Sequence, residues 1–196
     1  MKTIYKEYLK RKEKLIISAI DILEEGGIQA LTTKELAKRE GITEPAIYKQ
    51  FDSKRDIMMA ILERFAIFDE QIESTIKEQK IESKKAVIYF AETYACYYQS
   101  YPQLATVLIS YDFFKYEKTT CEKMQNIMKR RYELIKRLID QGQEKGEIPN
   151  DIASEDLSEI ILGIIWSAVF KWKMEDYSFS LKEAVMKRLE WVLHKL

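Results

Sequence analysis

Apolar residues in this chain recur every three or four positions from end to end, the period of amphipathic helices. Ile16, Ala19, Ile20 and Leu23 fall at i, i+3, i+4 and i+7, which predicts a helix over 11–25 stopped by Gly26 and Gly27. Thr32 and Glu35 have capping-box spacing and start a second helix over 34–40, while Thr43 is placed to cap a third over 44–51, with Pro45 tolerated in its first turn. Ser53 and Asp56 offer another box-like start, and Ile57, Ile61, Leu62 and Phe65 carry the stripe onward. That predicts one long helix over 54–79. Further helices are predicted over 83–100, closed by Tyr101-Pro102, and over 103–114. The last three cover 119–141, closed by Gly142, then 154–173 and 180–195, where Ser180 and Glu183 repeat the capping-box spacing.

No segment alternates with period two for long enough to require strands. Six glycines and three prolines among 196 residues leave little room for the turns of a many-stranded sheet, and 46% hydrophobic residues suffice for a substantial core. The expected class is all-α: an amino-terminal three-helix domain over 1–53, then a larger helical domain over 54–196.

The stretch Thr33–Phe51, TKELAKREGITEPAIYKQF, has the pattern of a helix-turn-helix. Ala37 is small where a second helix passes close above the first. Gly41 can take the positive φ that ends a helix abruptly, and Ile47 points back from the second helix into the shared corner. Such a corner presents its second helix to the major groove of DNA.

The run from Lys14 to Ile57, with IISAIDILEEGG, LTTKELAKREG and ITEPAIYKQFDSKRDI, resembles the amino-terminal domain of the TetR family of bacterial transcriptional regulators. The block Ala46–Lys54, AIYKQFDSK, carries most of the resemblance, and a weaker echo runs from Gln141 to Trp172. The resemblance implies a sequence-specific DNA-binding regulator of double-stranded DNA, by default a repressor. It places DNA contacts at Thr33 and Lys34, at Thr43, Glu44, Ala46, Lys49 and Gln50 on the reading helix, and at Tyr48 and Lys54 on phosphates. Gln50 can pair bidentately with adenine, Lys49 can donate to guanine or phosphate, and Glu44 can accept from cytosine. Glu44 departs from the basic or small residue common in the family, so it either excludes wrong sites or simply caps the helix.

The resemblance further implies a homodimer whose last two helices join those of a twin in a four-helix bundle. The helix LSEIILGIIWSAVFKW is apolar around most of its circumference, Leu181, Ala184, Val185, Leu189 and Val192 form a second stripe, and Gly163 and Ala168 would permit close approach. A twofold dimer calls for a near-palindromic operator with half-sites about one helical turn apart or somewhat more.

Net charge is zero, with a local surplus: residues 1–55 carry 12 basic against 9 acidic side chains, and the first fourteen carry six against two. A basic amino-terminal arm suits phosphate contact or a reach into the minor groove, and equally the start of a solvated helix. Catalytic signatures are missing: no HExxH, no GxSxG, no glycine-rich phosphate loop. Glu24-Glu25 and Glu155-Asp156 read as surface or cap acids. Cys96, Cys121 and the one histidine, His194, do not suggest a metal site, and no cofactor is expected. With no apolar leader and no uncharged stretch of spanning length, the expected location is cytoplasmic, away from any membrane.

Aromatic residues crowd the second domain. Phe90, Tyr94 and Tyr97, at i, i+4 and i+7, share one helix face, with Met124, Met128, Trp166 and Phe170 as candidates for the facing walls of a pocket for a small apolar or aromatic effector. The same pattern also fits ordinary core packing. With a pocket, effector binding shifts the separation of the reading helices and releases the operator. Without one, the second domain recruits a protein partner.

Overall fold

A computed structural model describes residues 10–195, with only the backbone of the final two. The predicted basic arm before Lys10 and the side chain of His194 lie outside the described residues. All regular structure among the described residues is helical. In chain order the elements are α1 (Arg11–Ala30), α2 (Thr33–Arg39), α3 (Glu44–Tyr48), α4 (Lys54–Phe65), α5 (Asp69–Glu78), α6 (Ser83–Ser100), α7 (Leu104–Ile109), α8 (Lys118–Glu144), α9 (Ser154–Met174) and α10 (Leu181–Lys195), with a single 3-10 turn at Tyr111–Phe113. They form two compact units: the chain up to Ala66 with Ser110–Met124, and Ile67–Ile109 with Gln125–Leu196.

In the first unit the predicted stripe Ile16, Ala19, Ile20 and Leu23 is buried, joined by Leu36, Ala37, Ile47, Phe51, Ile57, Ile61 and Phe65. α1 breaks at Gly27, whose φ of 69° and ψ of −169° lie outside the helical region. Two polar contacts fix α1 against the end of α2. The Arg39 guanidinium grips the Glu25 carboxylate, with Nη1 donating to Oε1 at 3.1 Å, and the buried Ser18 hydroxyl donates to Glu40. The hydrogen bond from Arg39 also holds the Glu25 carboxyl below its ordinary range.

The caps explain where helices start. Thr32 Oγ1 accepts from the Glu35 N–H at 3.0 Å, Ser53 Oγ from the Asp56 N–H at 3.2 Å, and Ser180 Oγ from the Glu183 N–H at 3.3 Å, as their spacing predicts. Thr43 is a correction. It occupies the cap position of α3, yet its side chain makes no cap bond. Pro45 removes one amide donor and the Ala46 N–H turns to the Thr43 carbonyl at 2.9 Å, so the hydroxyl is left facing outward.

The expected long helix over 54–79 is also corrected. α4 ends at Phe65, and α5 restarts at Asp69 with Phe68 as its cap. The reason is tertiary. Within the second unit Phe68 packs edge-on against Tyr97 at 4.4 Å between centroids, and Asp69 is held by Arg131, a register that an unbroken period would not deliver. The predicted helix over 103–114 likewise stops at Ile109, because Ser110 leaves the helical region at φ −114° and ψ 59° and a 3-10 turn follows. Leu104, Val107 and Leu108 bury in the second unit, while Phe114 buries completely as part of the first.

The second unit packs α6 against α9 and α10, and α9 against α7 and α10. Trp172 of α9 donates its indole N–H to the Phe179 carbonyl at 2.8 Å, fixing the turn into α10. α9 buries Leu157, Ile161, Ile165, Ala168, Val169 and Trp172 but leaves Ile160, Trp166, Phe170 and Met174 exposed, with Gly163 open beside them. An apolar helix in a single copy of this chain thus presents a second, unburied stripe.

Candidate nucleic-acid interface and regulatory cavity

α2, α3 and the turn between them form the predicted corner. Gly41 adopts φ 62°, the Ile42 N–H reaches back to the Ala37 carbonyl at 3.0 Å, and Ile47 is fully buried beneath the turn. Burying Ile47 rotates its neighbours outward, since residues around one inward position of a short helix must face solvent. Lys34, Thr43, Tyr48, Lys49 and Lys54 are exposed, and Thr33, Glu44, Ala46 and Gln50 are half-buried. All nine residues named from sequence are therefore solvent-accessible.

Three of them are tied together. Thr33 Oγ1 donates to Glu44 Oε2 at 3.0 Å and lies 3.4 Å from the Tyr48 hydroxyl. Glu44 is thus drawn toward the start of α2, with an acceptor capacity beyond that one bond. Lys54 donates from Nζ to the Ile28 carbonyl at 2.6 Å, just past the break in α1, and partial burial lowers its ammonium from the ordinary lysine range.

The second unit contains a cavity of about 40 Å³, lined by Phe90, Tyr94, Tyr98, Leu108, Met128, Arg131, Leu162, Ile165 and Trp166. That is room for two or three water molecules. Of the residues named from sequence, Phe90, Tyr94, Met128 and Trp166 line it. Tyr97 turns away to Phe68 and Tyr101, Met124 is buried as part of the first unit, and Phe170 stacks flat on Trp166 with ring centroids 5.5 Å apart.

Arg131 is what sequence reasoning missed. Its side chain is 5% exposed and pairs with Asp69, 10% exposed, through Nη2 to Oδ1 at 2.9 Å and Nε to Oδ2 at 3.1 Å. Nη1 donates to the Tyr98 hydroxyl at 3.3 Å, the guanidinium carbon sits 4.4 Å from the Tyr94 ring centroid, and the Tyr94 hydroxyl donates to Asp69. Burial opposes the guanidinium charge, but Tyr98, Tyr94 and Asp69 outweigh it and keep Arg131 protonated above the usual arginine range. Desolvation raises both tyrosines, which stay neutral. A signal was present: in Met124, Ile127, Arg131, Leu134 and Leu138 the arginine occupies a core position of the period, and a buried charge demands a buried partner.

Fold and corner together define a DNA-binding transcriptional regulator. Residues 15–61 match the family described as "Bacterial regulatory proteins, tetR family", and residues 61–195 match "YsiA-like protein, C-terminal region" of that family. The chain belongs to the TetR family. It is 23% identical over 168 residues to the fatty acid metabolism regulator protein of Bacillus subtilis, spanning 85% of this chain and 86% of that one. Among solved structures it is similar to the B. subtilis regulator FadR in complex with stearoyl-CoA, at TM-score 0.77 and 22% identity over 94% of this chain and 99% of that one. The regulator MbdR from Azoarcus sp. CIB is similar at TM-score 0.82 and 23% identity over 94% and 98%. These relatives are transcriptional regulators. No helix among the described residues is long and apolar enough to cross a membrane.

Proposed function

We propose that this chain is a homodimeric repressor released from its operator by a small apolar molecule bound in the cavity of the second unit. One observation carries the reading: eight of the nine side chains lining that cavity are apolar or aromatic, in a chain whose other unit is a helix-turn-helix. The stearoyl-CoA bound to FadR supports an acyl or similarly extended apolar effector. An extended ligand needs more room than about 40 Å³, so binding displaces side chains, and that displacement is the work a ligand can do on the fold.

Residues 1–53 supply the DNA surface, and 54–196 supply regulation and pairing. On DNA, Thr33, Lys34, Tyr48 and Lys54 hold phosphates, Lys54 with donors beyond the one committed to Ile28. Thr43, Glu44, Ala46 and Gln50 face base edges, and Lys49 beside them holds a phosphate. Two copies pair through the exposed stripe Ile160, Gly163, Phe170 and Met174 of α9 with α10, setting two reading helices on one face of a near-palindrome.

Selection from random duplex DNA at near-physiological salt tests the first part, and enrichment of an inverted repeat is the expected result. Enrichment of no sequence rejects it. A thermal-shift screen of acyl and aromatic compounds, followed by titration against the selected duplex, tests release. Specific DNA binding that no compound weakens favours a second domain that recruits a protein.

A further inference from the structure

We propose, building on the reading of the cavity as an effector site, that the effector ends in a carboxylate and that this carboxylate takes Arg131 from Asp69. Arg131 is the one charged residue lining the cavity, and it also lines a smaller crevice with Asp69, Glu73 and Arg130. A buried ion pair contributes little net stability compared with apolar residues of the same size, so stability alone gives no reason for a guanidinium in this wall. Its chemistry does give one. The planar guanidinium fork presents paired donors that match any carboxylate, and Asp69 now occupies them through Nε and Nη2.

Charge decides how exchange must run. Arg131 and Asp69 form a neutral pair, and a second carboxylate brought into the same dry space repels the first unless one leaves. Asp69 is the one that can leave. It begins α5, lines the smaller crevice with Glu73 and Arg130 and not the cavity itself, and is 10% exposed against 5% for its partner. It also lies three residues beyond Ala66, where the helix-turn-helix unit ends, so its release frees the first turn of α5 next to that unit in the chain. Tyr94, which stays protonated and now donates to Asp69, can then donate to the incoming carboxylate. A neutral apolar molecule fills the same cavity without displacing Asp69 and leaves α5 in place. The head group thus separates an effector from a silent occupant.

The protein is titrated with decanoate, decan-1-ol and decanoyl-CoA, with tryptophan emission reporting binding and amide hydrogen exchange reporting on α5. Decanoate is expected to speed exchange over residues 72–75, whose amides close the first turn of α5 beginning with Ile72 N–H to the Phe68 carbonyl, and decan-1-ol to bind without doing so. Asp69→Asn keeps the shape of the competing side chain and removes its charge, and is expected to tighten decanoate by about tenfold while leaving decan-1-ol within about twofold. The double variant Asp69→Asn with Arg131→Met, checked for native helix content, is expected to bind both with equal affinity. A purely structural ion pair would shift both ligands together in Asp69→Asn. Equal α5 opening by decanoate and decan-1-ol, an unchanged ratio in Asp69→Asn, or opening by decanoyl-CoA but not decanoate each overturns the carboxylate inference while leaving the effector site standing. Binding of none of the three removes both.

Discussion

Arg131 and Asp69, 62 residues apart in sequence, meet edge to edge inside the second unit, with Nε 3.2 and 3.1 Å from the two carboxylate oxygens and Nη2 2.9 Å from one of them. The pair joins the middle of α8 to the start of α5 and turns one face of the guanidinium toward the Tyr94 ring. Removing one member strands a buried charge. Arg131→Met alone is expected to cost about 3–5 kcal/mol in urea unfolding, and adding Asp69→Asn to recover most of it. If the double variant is no more stable than the single one, the two side chains are not energetically coupled.

Gly41 turns the corner with φ 62°, and a Cβ built there meets nothing within 4 Å. Backbone strain is therefore the whole penalty. Gly41→Ala is expected to lower stability by about 1–2 kcal/mol, read by thermal or urea unfolding, with no change in the second unit's ligand affinity. A neutral effect would mean the left-handed turn is not required.

The helix expected over 44–51 ends at Tyr48, which leaves Lys49 and Gln50 in the turn that follows α3, and there the two should separate in kind. Gln50→Ala is expected to cost about 1–3 kcal/mol for the selected duplex and to relax preference at one base position. Lys49→Ala, as a phosphate contact, should weaken all duplexes alike and reduce the logarithmic salt slope by about 1. Competition binding at several salt concentrations distinguishes the two, and unaltered melting temperatures exclude unfolding as the cause.

Phe170 is 42% exposed in the stripe of α9, stacked on Trp166 and clear of the buried face. Phe170→Glu is expected to yield a folded monomer in sedimentation, with operator affinity falling because one reading helix contacts one half-site only. A dimer that persists would place the pairing surface elsewhere.

Glu44, held by the Thr33 hydroxyl, brings a negative charge to the DNA-facing corner. Glu44→Gln keeps the bond geometry and removes the charge. It is expected to raise affinity for unrelated duplexes through lost repulsion with phosphates, narrowing the gap between selected and random DNA in competition assays.

The sequence alone determined whatever is written in local chemistry. The 3.6-residue period, the cap pairs Thr32–Glu35, Ser53–Asp56 and Ser180–Glu183, and the glycines at 27 and 41 each act within one turn of chain, so the all-helical class and the helix-turn-helix were legible from the residues. The cavity wall was legible only in part: Phe90, Tyr94, Met128 and Trp166 line one cavity, while Tyr97, Met124 and Phe170, named by the same spacing and residue type, do not. Tertiary structure decided what depends on partners distant in sequence. The helix expected over 54–79 breaks because Phe68 must meet Tyr97 and Asp69 must meet Arg131, and no local period encodes an ion pair formed across 62 residues. Tyr97 left the cavity for the same reason, and Arg131 entered it, since which side of a buried helix faces empty space is settled only when the other helices have packed around it.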